Sequence, residues 1–194
     1  MKATGVVRRI DELGRIVIPK EIRRTLKIRE GTPLEIYSGE NGELLLKKYS
    51  PLLDFSALMT EVAESIFKTT SQNVLVTNME NVIAASGTNK TKYINKSIDN
   101  HLMRLMDKRK TQIIFTSEES VLFFHDSNTK CFVISPILEG GDVYGSIIIY
   151  SENSILGDVE KSITETFADF IGKQIGWLWQ KQNQTSFLAP LSWC

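Results

Sequence analysis

The sequence predicts two domains of different class: a small, mainly-β module over residues 1–50, and an α+β domain over residues 56–181 built as an antiparallel sheet with flanking helices. Three observations predict this. Residues 1–50 carry 11 Lys+Arg against 7 Asp+Glu, a balance of +4, whereas the remainder carries 12 against 16, a balance of −4, so the net zero of the chain conceals two unlike parts. At Tyr49-Ser50-Pro51 a strand-like run, L-L-L-K-K-Y, stops at a proline, and the residue before proline is pushed out of helical conformation. Beyond that seam the apolar spacing changes from strand-like runs to a helical repeat, which makes residues 51–55 a linker. A basic piece joined to an acidic one is expected of a polyanion-binding module carried by a domain that does not touch polyanions.

In the first module, residues 3–10 read as a strand, Asp11-Glu12-Leu13-Gly14 as a turn, and residues 15–18 as a second, β-branched strand. Pro19 starts a short helix over residues 20–26, because its fixed φ suits the first helical turn. Residues 34–37 and 43–48 form a hairpin around Gly39-Glu40-Asn41-Gly42. Four short strands in about fifty residues bury too little apolar surface and leave sheet edges unpaired, so an obligate dimer is expected.

The second domain opens with a helix in which Phe55, Leu58, Val62 and Ile66 recur at helical spacing. Strands are expected at 73–77, 82–85, 112–115 and 121–124, with a helix near 98–106. A central hairpin spans 130–138 and 143–150 and turns at Gly140-Gly141-Asp142. A closing helix carries Leu156, Val159, Ile163, Phe167, Phe170 and Leu178 on one stripe, and residues 182–194 form a tail. The near-heptad stripes either face only their own sheet or also pack on a partner's helix; Leu53, Met59 and Phe67 favour a helical interface between copies.

Chemistry concentrates in G-R-I-V-I-P-K-E-I-R-R, residues 14–24. Arg15 opens this frame, Arg23 and Arg24 close it, and Arg8 and Arg9 lie across the turn. The guanidinium fork grips phosphate or the edge of guanine with two hydrogen bonds. The competing reading is a solvated face paired with Asp11, Glu12, Glu21 and Glu30. Residues 1–30 hold nine basic groups against those four acids, so at least five have no local partner.

Residues 2–28, K-A-T-G-V-V-R-R-I-D-E-L-G-R-I-V-I-P-K-E-I-R-R-T-L-K-I, closely resemble the DNA-binding half of AbrB-type transition-state regulators of spore-forming bacteria. The resemblance implies a swapped-hairpin (AbrB-like) barrel formed by a dimer. It implies double-stranded DNA as partner, with Arg8, Arg9, Arg15, Arg23 and Arg24 as contacts and Lys2 and Lys20 as lesser ones. Residues 136–150, P-I-L-E-G-G-D-V-Y-G-S-I-I-I-Y, and the helices around them resemble sporulation regulators in which this module precedes a GAF-like domain. That resemblance implies activation and repression of forespore genes, oligomerisation through the second domain, and a small-molecule effector of unknown identity. The candidate effector loop is 86–96, with Ser86, Asn89, Lys92 and Tyr93; the plainer reading is an ordinary exposed loop. The chain departs from the family at residues 180–194, which end in F-L-A-P-L-S-W-C.

No Ser/His/Asp order, metal motif or phosphate-cradling glycine loop occurs, so no catalytic residue, metal or cofactor is expected. His101 and His125 read as packing or surface residues, and Cys131, within an apolar strand, as a core thiol. No apolar run approaches the roughly 18 residues that span a bilayer, and no signal peptide is visible, so a cytoplasmic, nucleoid-associated protein is expected. Two other functions fit parts of the sequence. An AbrB-type antitoxin would end in a short disordered tail, which the patterned residues after Pro51 do not resemble. A small-molecule sensor or enzyme would use the basic module only as an anchor.

Overall fold

The computed structural model describes residues 5–26, 28, 30, 32–88, 90–116 and 129–186. The strand expected at 121–124, together with Lys2, Asn89, His125 and Cys194, lies outside them. The chain divides into two compact units, Met1–Tyr49 and Ser50–Cys194.

In the first unit the regular elements are helix α1 (Lys20–Thr25) and a hairpin of β1 (Leu34–Ser38) with β2 (Leu44–Lys48). The hairpin pairs Leu34 with Lys48 through Ser38 with Leu44, and its tip is a single 3-10 turn, Glu40–Gly42, closed by Gly42 at φ +74°. The strands expected at 3–10 and 15–18 are not formed by the described residues 5–18. They meet at a turn where the Asp11 N–H donates to the Arg15 carbonyl at 3.1 Å. A lone two-stranded ribbon is marginal in water, and among the described residues β1 and β2 pair with no third strand. Most apolar residues of the unit stay in solvent: Val7 is 84% exposed, Leu13 74% and Val17 72%. Helix α1 likewise buries nothing.

The second unit behaves oppositely. Its elements are α2 (Pro51–Asp54), α3 (Ser56–Thr70), β3 (Asn73–Asn78), β4 (Val82–Ser86), α4 (Lys90–Tyr93), α5 (Asn100–Asp107), β5 (Gln112–Phe115), β6 (Cys131–Glu139), β7 (Asp142–Ser151) and α6 (Asp158–Ser186). The strands form one antiparallel sheet in the order β4-β3-β7-β6-β5. Strand alternation sorts the core into two layers. Val74, Val76, Cys131, Val133, Ile147 and Ile149 pack with α3 and α6, whereas Leu75, Phe132, Ile134, Ile148 and Tyr150 pack with Tyr93 of α4 and with α5. A sheet covered on both faces needs apolar residues on both, and this is why β6 and β7 read as nearly unbroken apolar runs. The buried hydroxyls of Thr77 and Ser146, opposite each other on β3 and β7, satisfy one another at 2.9 Å.

Three expectations are corrected. Residues 51–55 are not a linker: residues 51–54 form a helical turn, and Leu52 is fully buried in the α3–α6 layer. Met59 and Phe67 serve the unit's own core rather than a helical interface, while Leu53 remains exposed. The closing helix runs on to Ser186, past the expected start of the tail at 182. Along α6 the buried line is Thr164, Ala168, Ile171 and Ile175, leaving Val159, Phe170 and Trp177 outward.

The core line of α6 continues through two glycines. A Cβ at Gly172 would overlap the Leu138 carbonyl oxygen, and one at Gly176 would meet the Glu139 carboxylate. Backbone oxygen cannot move aside as a flexible side chain can. The Gly172→Ala variant gains about 1 kcal/mol of helix propensity but incurs overpacking of about 1–3 kcal/mol against a strand that cannot shift. Its thermal midpoint should fall. The Gly157→Ala variant, whose Cβ would meet only the Glu160 carboxylate at 3.9 Å, should stay within about 0.5 kcal/mol of the parent. Differential scanning calorimetry of the two checks this.

Candidate nucleic-acid interface

The turn between the two arms of the first unit is organised by one side chain. Asp11 Oδ1 accepts from the backbone N–H of Leu13 at 3.0 Å and of Arg15 at 2.8 Å, and Asp11 Oδ2 accepts from Arg15 Nε at 2.8 Å. Gly14 completes the turn at φ +74°, a conformation that glycine adopts without a steric penalty. The Arg15 backbone N–H and guanidinium hold the Asp11 carboxyl below its ordinary value. Arg15 is therefore aimed by an acid four residues earlier, with the rest of its guanidinium free to reach outward.

Arg8 and Arg9 are exposed on the arm before the turn, and Arg8 Nη1 donates to its neighbour's carbonyl, Val7 O, at 3.1 Å. Pro19 caps α1 at φ −57°, and the Arg23 N–H returns to the Pro19 carbonyl at 2.9 Å. Arg23 and Arg24 fall in the last turn of α1, and Lys20 in its first; all three are exposed. Arg23 also borders an open hollow of about 380 Å³ with Val17, Ile18, Ile28, Glu30, Thr32 and Leu34. Arg8, Arg9 and Arg15 thus attach to one turn and Arg23 and Arg24 to one short helix, with Lys2 outside the described residues. Of the acids offered as local partners, only Asp11 makes an ion pair with one of these arginines among the described residues.

The candidate effector loop of the second unit is largely exposed, as its composition suggested, but is anchored at two points. Ser86 ends β4 and is buried, Lys92 is exposed, and Tyr93 is fully buried with its ring edge-on to Tyr150 at 5.4 Å. The Lys92 and Lys96 ammonium groups lie 5.3 and 5.4 Å from the centre of the Tyr93 ring. A smaller hollow of about 190 Å³ lies beside it, lined by Ala85, Lys90, Thr91 and Ile94. Apart from Tyr93 and Ile94, residues 86–96 hold small, polar and lysine residues, and the single aromatic in that stretch is the sign that part of it turns inward. Cys131 is buried, and desolvation pushes its thiol up, as expected of a core residue.

Solved structures share the second unit's fold. The blue-light absorbing PixJ GAF domain of Thermosynechococcus elongatus covers 74% of this chain and 99% of its own length at a TM-score of 0.55 and 12% identity. The first unit matches, over residues 7–54, the family described as antidote-toxin recognition MazE, bacterial antitoxin. It is also 59% identical over 51 residues to the transition state regulatory protein AbrB of Bacillus subtilis, spanning 26% of this chain and 52% of that one. The chain is thus an AbrB-like module followed by a unit of GAF-like fold. Residues 54–176 match the family described as stage V sporulation protein T C-terminal, transcription factor. The chain is 43% identical over 177 residues to stage V sporulation protein T of Bacillus subtilis, covering 90% of this chain and 99% of that one. The chain belongs to the stage V sporulation protein T family of sporulation transcription regulators.

The Asp11 turn yields a pH prediction. A carboxyl held below its ordinary value contributes stability at all pH above that value and loses it as pH falls through the lowered one. A carboxyl carbon NMR titration should place Asp11 below the ordinary aspartate value. In the Arg15→Ala variant it should move only part of the way back, because the backbone donors remain.

Proposed function

We propose that two copies of the first unit intertwine and present Arg8, Arg9, Arg15, Arg23 and Arg24 of each to double-stranded DNA, with Lys2 and Lys20 in support. The observation that carries this reading is the pairing of five exposed arginines with an apolar surface that one chain leaves uncovered. A two-fold pair supplies each ribbon with an edge to bond to and each exposed Val and Ile with a core to enter. The hollow beside Arg23 is an apolar seat of the kind a partner strand would fill. Four acids against nine basic groups in residues 1–30 cannot neutralise such an array, so phosphate is the natural counter-charge.

The exposed apolar residues of the outer helices, Leu53, Val159, Phe170 and Trp177, support pairing of the second units as well, which would join two DNA-binding dimers into a tetramer. Activation and repression of forespore genes, a cytoplasmic and nucleoid-associated location, and sensing of a small effector by the GAF-like unit complete the reading. No described helix is long and apolar enough to cross a membrane. The antitoxin reading is disfavoured by the second unit, which has a core of its own where an antitoxin would carry a short toxin-binding tail. The anchored-sensor reading predicts activity without the arginines.

Electrophoretic mobility shift with the Arg23→Ala/Arg24→Ala double variant separates these. DNA binding should be lost with the fold and oligomer retained; full binding would contradict the proposal. If 6–10 arginines of a dimer meet phosphates, the parent's affinity should fall about 10³- to 10⁵-fold between 50 and 200 mM salt.

A further inference from the structure

We propose that the α4–α5 layer of the second unit is a second surface for the DNA backbone, separate from the arginines of the first unit. The proposal rests on the reading of the chain as a DNA-bound regulator. Residues 87–111 carry seven basic groups, Lys90, Lys92, Lys96, Arg104, Lys108, Arg109 and Lys110, against Asp99 and Asp107, a local balance of +5. The rest of residues 51–194 carries five basic groups against fourteen acidic ones, a balance of −9. The acidic unit thus gathers most of its positive charge on one layer.

The fold turns that charge outward. α4 and α5 cover the same face of the sheet, and Tyr93, Leu102, Leu105 and Met106 take their inward positions. Lys90, Lys92, Arg104, Lys108, Arg109 and Lys110 are all exposed. Of the two acids, Asp99 is engaged as the cap of α5, accepting from the Leu102 N–H at 2.8 Å. Among the described residues, Lys90, Arg104, Arg109 and Lys110 pair with no carboxylate. Arg104 and Lys108 stand one helical turn apart, a like-charge spacing that opposes folding. Arg109 occupies the turn after α5 at φ +54°, a left-handed position that favours glycine. Like charges stacked together and an arginine held where glycine fits better are both local costs that function would explain.

The chemistry favours a polyanion over a protein. A protein interface is anchored by buried aromatic or aliphatic side chains, whereas the large apolar residue exposed within this layer is Ile94 alone among the described residues. Lysine and arginine without an apolar centre suit a backbone read by charge. Such a surface would grip DNA beyond the footprint of the first unit, raising affinity by linkage rather than by base contacts.

The test uses the full-length protein and two labelled duplexes. One is roughly 20 base pairs, enough for two half-sites a helical turn apart, and the other about three times as long. Fluorescence anisotropy across 50–200 mM salt compares the parent with the variant Lys90→Gln/Arg104→Gln/Arg109→Gly/Lys110→Gln. The long duplex should bind the variant at least tenfold more weakly, with a salt slope smaller by about 0.9 for each phosphate no longer neutralised. The short duplex should be unaffected. Arg109→Gly alone, which relieves the left-handed backbone, should raise the thermal midpoint and still weaken binding to the long duplex. Unchanged slope and affinity on the long duplex overturn the proposal, as do equal losses on both duplexes, the pattern of a damaged fold. If Arg23→Ala/Arg24→Ala binds both duplexes like the parent, the underlying reading fails instead, and this surface falls with it.

Discussion

The first unit is a set of apolar residues without an interior. Val7, Ile10, Leu13, Val17, Ile36 and Leu44 are all more than half exposed, and α1 buries no residue at all. Burial of an aliphatic side chain is worth roughly 1.5–3 kcal/mol, so leaving this many in water is a large deficit for fifty residues. The proposed function follows from that deficit. Whatever covers the apolar face also fixes the arms that carry Arg8, Arg9 and Arg15, and so sets the spacing of the charge array. Core formation and DNA recognition are then one event.

The second unit has no such deficit. Its sheet is sealed on both faces, the hydroxyls of Thr77 and Ser146 are paired, and α6 approaches β6 closely enough that glycine is required at 172. This packing bears on effector sensing: Tyr93, Leu102, Met106, Phe132 and Tyr150 occupy the layer between sheet and helices, so a ligand there would have to displace packed side chains.

Much of this was legible in the sequence, for identifiable reasons. The β6–β7 hairpin was plain because two apolar runs flank Gly140-Gly141, both of which adopt positive φ. The Pro51 seam was equally plain. Helix assignments that failed did so through tertiary choice. A stripe wide enough to include both Met59 and Leu53 does not reveal which residue faces the sheet, and only packing resolves it. Residues 5–10 and 15–18 have strand-like side chains but pair with no strand among the described residues, so pattern and structure part there. At the interface, the arginine frame was readable from residue type and from Pro19. The role of Asp11 was readable only as an ion-pair partner, since its bonds to two backbone N–H groups depend on the turn geometry. The burial of Tyr93 was signalled only by its being the one aromatic in a lysine-containing stretch.

Everything proposed for DNA binding depends on the first unit acquiring a core only by association. Sedimentation equilibrium on the full-length chain, with DNA binding measured on the same samples, tests this most directly through the Val7→Asp/Val17→Asp variant. The parent should sediment at two or four times 22.0 kDa. The substitutions should halve that mass and abolish DNA binding, leaving the unfolding transition of the second unit intact. A parent that sediments as a single chain, or a variant that binds DNA as the parent does, would contradict it.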